Sequence, residues 1–351
     1  MKKLINKALL YRDWKYSKWF IPILILELSW IYVPEFFQRN QYGRLSINQF
    51  MDSDKLSGAT IILSLTLMVM ASVLFSFDRN SASYSFAASM PFNRREITLS
   101  KWLVGFYNIF FAWFSVYVIE NILLILNHVW GEYFVHITYN FIVNLLVLFF
   151  ILGFFLMLHS INGTVFVGSL ISLVFAAVPS TFIYLLDGIY TRYDKVYIVP
   201  SFIKNSFYFI MKLLGMIRSF VGLSVIGDMS SIHIPGLGEM GGTEEYIPYW
   251  TLIKIVLYIA TIVLMFIISS KLFEKSRLEL NGRITTVESC NKLYKTIIAF
   301  YAGFLMHTIL LMITGEIAFR PDIVIIFCII IPVPVYFLTG RVVKIYNRRF
   351  A

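Results

Sequence analysis

The residues best equipped for chemistry are two carboxylates set in long apolar runs, Glu27 and Glu120. A carboxylate near mid-membrane costs roughly 2.5–3.5 kcal/mol on insertion scales, so each must face protein or water. Two readings stay open. One is a polar lining for a substrate or proton path, shared with Asn121 and Asn144. The other is a protonated acid hydrogen-bonded to a neighbouring helix through those asparagines. A second cluster is His128, Glu132 and His136, where two four-residue steps would bring all three near one helical face, as a metal site requires. Gly131 interrupts that helix, however, and Trp130 and Tyr133 suit an interfacial turn. Gly236–Gly241 matches G-x-G-x-x-G but lacks the strand before and the helix after that a nucleotide fingerprint needs. Neither G-x-x-x-x-G-K-[ST] nor H-E-x-x-H occurs, and spacing brings no base to any Ser or Cys. The chain is therefore expected to hold no metal, bind no cofactor and catalyse no reaction of its own.

The elements that must position these groups follow from composition. Of 351 residues, 58% are hydrophobic and only 14% charged, which excludes an ordinary soluble domain. Apolar runs recur at the length that crosses a ~30 Å hydrocarbon core as a helix. The weaker alternating segments of a β-barrel are absent, so the spanning structure is helical. We expect an all-α polytopic membrane protein of about eight transmembrane helices. They are Trp19–Phe37, Ser57–Phe77, Trp102–Leu126, Ile137–Leu158, Thr164–Leu186, Trp250–Ser270, Thr296–Ile313 and Asp322–Leu338. The basic, aromatic opening up to Lys18 reads as an interfacial helix, with lysines snorkelling and Trp14 and Trp19 anchoring. With no small-residue cleavage site after it, the first apolar run reads as a retained span. Val196–Val221 reads as an outer amphipathic segment between spans five and six. Gly168, Ser172 and Ala176 make a small-residue ridge that lets another helix approach.

Charge sets the topology. Most of the 30 Lys and Arg fall at the N-terminus, around Arg79–Lys101, in Lys271–Lys295 and in the tail. An even number of spans with these on one side puts both termini in the cytoplasm. Topology thus explains the net charge of +10 without nucleic-acid binding. Cys290 lies on the reducing side and Cys328 within a span, so no disulfide framework is expected.

One stretch, Ser81–Lys101, is too polar and too positive for lipid. Pro91 ends the helix before it. Asn93 and Glu96 form a capping box that starts the next helix. The reading is a short surface helix, Ser81–Ser89, then a proline corner, then the third span.

At Met90-Pro91-Phe92-Asn93-Arg94-Arg95-Glu96-Ile97 and Lys101 the chain resembles permeases of the ABC-2 type, where P-x-(S/T/N)-R-R-E-(I/L) followed by Lys recurs after the second span. The N-terminal helix is similar to their elbow helix, and the resemblance covers about Met1–Lys275 as a six-span permease domain. It implies a cytoplasmic coupling helix between spans two and three that docks on a cytosolic ABC ATPase. The docking residues would be Ser81, Tyr84, Phe86, Met90, Pro91, Arg94 and Arg95. A second cytoplasmic contact would fall at His159 and Asn162, in the tight turn His159–Gly163. ATP and Mg would bind the partner subunits, and a second permease copy or homologue would complete the transporter. Residues 276–351 add a cytoplasmic linker and two further spans, an extension similar to that of the Ytr-type permeases of Gram-positive bacteria. Those are linked to cell-envelope stress and peptide antibiotics, which implies the bacterial cytoplasmic membrane, a lipid, lipid-linked or amphipathic peptide substrate, and a further subunit at the last spans. Two functions of other classes stand beside this one: a proton-coupled secondary transporter using Glu27 and Glu120, and a membrane-embedded metal enzyme.

Overall fold

The computed structural model describes residues 6–33, 53–79, 92–128, 130–176, 248–276, 284, 286, 290–314 and 326–348. The expected surface helix Ser81–Ser89, with Tyr84, Phe86, Met90 and Pro91, lies outside them, as do Val196–Val221 and Gly236–Gly241. Among the described residues the regular structure is helical. In chain order it comprises α1 (Lys7–Ser17), α2 (Phe20–Tyr32), α3 (Ser53–Arg79), α4 (Arg94–Leu126), α5 (Trp130–Ile161), α6 (Val165–Ala176), α7 (Pro248–Lys275), α8 (Cys290–Thr314), a π-helical turn Ile326–Ile330 and α9 (Pro332–Arg348). Among the described residues, four stretches are long and apolar enough to cross a membrane: Ile62–Arg79, Arg94–Leu126, Asn140–Ile161 and Ile255–Lys275. This is a helical protein built to span a membrane.

The chain divides into two compact units that are discontinuous in sequence. Unit 1 takes Met1–Phe75, Pro91–Ser160 and Gly222–Glu274, and unit 2 takes Ser76–Met90, Ile161–Val221 and Lys275–Ala351.

In unit 1, α4 is the spine, and both α1 and α2 pack along it. It begins where the sequence places it: Asn93 is extended (φ −72°, ψ 143°) and Arg94 opens the helix. The reciprocal capping box is not made. The Asn93 side-chain amide instead donates to Glu96 Oε1 at 3.5 Å. Two glycines let α4 and α5 approach. A Cβ on Gly105 would sit 2.7 Å from Leu152 Cδ2, and one on Gly153 would sit 2.9 Å from the Trp102 ring. Each helix thus receives a large side chain from the other at a position without one, as small residues permit in membrane helix pairs. The ring of Trp113 continues this packing towards the far end, stacked 6.2 Å from Phe141, and its Nε1 donates to the Phe141 carbonyl at 2.9 Å.

In unit 2, α8 packs on α9 and on the π-helical turn. Within the expected last span, Asp322–Leu338, the described residues form the π-helical turn Ile326–Ile330 and then the start of α9. Pro332 opens α9 with a ring that needs no N–H there, and α9 runs on to Arg348. The basic tail from Arg341 is therefore helical as far as Arg348.

Candidate functional site

The motif Asn93-Arg94-Arg95-Glu96…Lys101 occupies the first two turns of α4, and its basic residues are committed to other elements of unit 1. Arg94 donates to the carbonyls of Glu274 (3.0 Å) and Phe273 (3.4 Å) at the end of α7. Those carbonyls have no intrahelical partner, and a guanidinium at a helix C-terminus also complements the dipole. Arg95 is largely exposed and pairs with the Glu274 carboxylate. Lys101 reaches inward. It is 0% exposed, donates to the Leu74 carbonyl, lies 5.0 Å over the Phe75 ring and stands 4.0 Å from Asp13.

Asp13 comes from α1, whose buried face is Leu9, Asp13 and Ser17 at four-residue spacing. The Asp13 carboxylate accepts from Ser100 Oγ at 2.8 Å and from Arg12 Nε at 2.9 Å. One turn further, Asn108 Nδ2 donates to Ser17 Oγ (2.8 Å) and to the Ser17 carbonyl (3.2 Å). A ladder of Asp13–Ser100–Lys101 and Ser17–Asn108 therefore bolts α1 to α4, with the aromatic residues Tyr11, Tyr16 and Trp19 left exposed. Buried charges persist only when paired and hydrogen-bonded, and here both conditions are met. The sequence reading of α1 as an anchored surface helix missed this inner face. The available signal was Lys101 and Asn108, two helical turns apart in an otherwise apolar run, with Asp13 and Ser17 one turn apart.

The two acids of the sequence analysis have different surroundings. Glu27 Oε1 accepts from Thr66 Oγ1 at 2.6 Å, joining α2 to α3, while Oε2 is buried without a hydrogen-bond partner among the described residues. Glu120 and Asn144 are both buried. Asn121 is engaged elsewhere: Nδ2 donates to the Tyr117 carbonyl at 2.8 Å, and Oδ1 accepts from Trp130 Nε1 at 3.2 Å. Because α4 has 33 residues, it is about 50 Å long, against a ~30 Å hydrocarbon layer. The helix is thus longer than the layer it would cross.

The His128, Glu132, His136 helix does not form. His128 has φ 58°, the left-handed conformation that ends α4, and its N–H bonds the Ile125 carbonyl at 3.0 Å. Histidine is among the residues enriched there. Gly131 is not the break, since α5 starts at Trp130. The side chains of Glu132 and His136 lie outside the described residues. Among the described residues no three His, Cys, Asp or Glu side chains are grouped to hold a metal.

His159 and Asn162, expected to face a cytoplasmic partner, are both buried. In unit 1, His159 contacts Ser72 Oγ through Nε2 and the Phe155 carbonyl through Nδ1, both at 2.9 Å. In unit 2, Asn162 accepts from the Tyr294 hydroxyl at 2.8 Å.

Comparison with protein-family models, with curated proteins and with solved structures gives no match.

The Glu27–Thr66 bond yields a direct test. Gln at position 27 keeps an oxygen for Thr66 and replaces the second carboxyl oxygen with an amide NH2. Glu27→Gln is expected to leave stability within about 1 kcal/mol of the parent, as for one neutral hydrogen bond. Thermal melting in detergent checks this, and a larger loss would mean that the carboxylate is held by more than Thr66.

Proposed function

We propose that this chain is the transmembrane subunit of an ATP-binding cassette transporter. It works with a second permease copy or homologue and with cytosolic ATPases that carry ATP and Mg. The observation that carries the reading is the basic stretch at the start of α4. Arg94, Arg95 and Lys101 tie it to the end of α7, to α1 and to the Leu74 carbonyl. A displacement delivered through Ser81–Pro91 would reach Asn93 and move the start of α4 together with those elements, as one lever. Coupling by a rigid body with discrete arrangements needs such a bolted joint.

The substrate class favoured by the large apolar surface is a lipid, a lipid-linked precursor or an amphipathic peptide. Eight spans, cytoplasmic termini and the bacterial cytoplasmic membrane belong to the same proposal. In it the path is lined by Glu27, Glu120, Asn121 and Asn144. The half-satisfied carboxylate of Glu27 also supports the second reading, proton-coupled transport. That reading predicts transport driven by a proton gradient without ATP.

The test is co-purification of the full chain with a P-loop ATPase, repeated for Tyr84→Asp with Phe86→Asp. Two aromatic anchors lost from an interface are expected to weaken the complex by at least about a hundredfold. An undiminished complex, or a tag at Ser81–Ser89 accessible from the cell exterior, would sink the assignment.

A further inference from the structure

The turn between α5 and α6 is closed from outside its own neighbourhood. An αα-hairpin is ordinarily closed by the residues of its own loop. Here the closing groups come from residues more than 120 positions later. Ile161 ends α5, so its carbonyl has no continuing helical partner. It accepts from the Thr286 N–H at 2.9 Å and from Thr286 Oγ1 at 2.8 Å. The Gly163 N–H donates to the Ile284 carbonyl at 3.3 Å, so the two segments exchange hydrogen bonds as paired strands do. Tyr294, near the start of α8, donates its hydroxyl to Asn162 Oδ1 at 2.8 Å, and its ring lies tilted 5.2 Å from that of Phe175 in α6. On the other side, the Ile284 N–H donates to Asn347 Oδ1 of α9 at 3.2 Å.

Burial shows that these contacts are built in. Asn162 and Thr286 are each 1% exposed and Tyr294 2%. The Asn162 side chain lies on the α6 backbone, where a Cβ on Gly168 would come within 3.1 Å of it. The ridge of Gly168 and Ser172 thus receives the turn's own asparagine at its first position. Burial, with Cys290 nearby, raises the Tyr294 phenol above its ordinary range, so it remains a donor at neutral pH.

We propose that Ile284, Thr286 and Tyr294 form a clasp over the α5–α6 turn, through which the last two helices set the position of that turn. On the permease reading this turn is the second contact with the ATPase, so the clasp makes α8 and α9 a brace on the coupling machinery. That second half rests on the reading above, whereas the clasp itself does not.

Hydrogen exchange on the full-length protein in detergent tests the clasp without any ATPase. The Gly163 and Thr286 amides are expected to be protected in the parent. In the double variant Thr286→Val with Tyr294→Phe, protection is expected to fall by roughly tenfold for each hydrogen bond removed. Unprotected amides in the parent, or unchanged exchange in the double variant, would overturn the clasp. Asn347→Ala is expected to speed exchange at Ile284, and no change there would remove α9 from it. With the ATPase bound, the double variant is expected to keep the complex and to change its ATP turnover at least twofold. Unchanged turnover would overturn the brace. Absence of any ATPase complex in the parent would overturn the permease reading and leave the clasp standing.

Discussion

Asp13→Ala is expected to destabilise the protein by about 3–5 kcal/mol, far more than its place on a short N-terminal helix suggests. Asp13 forms ion pairs with two buried or half-buried cations, Lys101 at 4.0 Å and Arg12 at 2.7 Å. Removing it takes away the carboxylate that pairs with both cations, beside a Lys101 side chain that is fully buried. The reverse substitution, Lys101→Met, should cost less, because Asp13 keeps Arg12 and Ser100. Combining the two removes both members of the buried pair, and replacing a whole buried pair with apolar groups is often close to neutral. The double variant should therefore melt nearer the parent than Asp13→Ala alone. Thermal unfolding in detergent measures all three. If Asp13→Ala melts with the parent, the ladder between α1 and α4 does not hold the fold together.

Gly303→Val is expected to cost about 3 kcal/mol, at the upper end of ordinary overpacking. A Cβ at Gly303 would collide with the backbone carbonyl of Phe327 and come within 3.0 Å of the Pro332 ring. Neither group can swing aside as a long side chain would, so α8 must part from the π-helical turn and from α9. Moving α9 also moves Asn347, and the Ile284 bond should go with it, visible as faster exchange at that amide. Gly131 and Gly340 are the contrasting cases. Among the described residues, nothing beyond its own helix and chain neighbours lies within 4 Å of a Cβ at Gly131, and at Gly340 the nearest such atom is Lys295 Nζ at 3.7 Å. Alanine at either is expected to be neutral or to stabilise by up to about 1 kcal/mol through helix propensity. A Gly303→Val protein as stable as Gly340→Ala would mean that the close approach is not maintained.

Much of the architecture follows from local chemistry. Twenty-residue apolar runs can bury their backbone groups in lipid only as helices, so the spanning segments Ile62–Arg79, Asn140–Ile161 and Ile255–Lys275 are legible from hydropathy alone. The start of α4 is equally local, because Asn93 stops one conformation and the run from Arg94 begins another. The end of α4 was harder to read. Gly131 looks like the interruption, but the chain turns at His128, whose left-handed backbone depends on closing α4 rather than on residue type alone.

The candidate site divides along the same line. Residue types and spacing by themselves determined that the molecule is helical and built for a membrane, that its positive charge clusters in a few loops and ends, and that Arg94, Arg95 and Lys101 share one helix start. Only the tertiary structure decided what those residues hold. Asp13 and Ser100 are 87 positions apart, and Thr286 and Ile161 are 125 apart, and no local pattern pairs groups at such separations. Periodicity reports which face of a helix avoids water, and it does so through apolar residues. An inner face made of Asp13 and Ser17 looks like a solvent face until the helix that supplies Ser100, Lys101 and Asn108 lies against it.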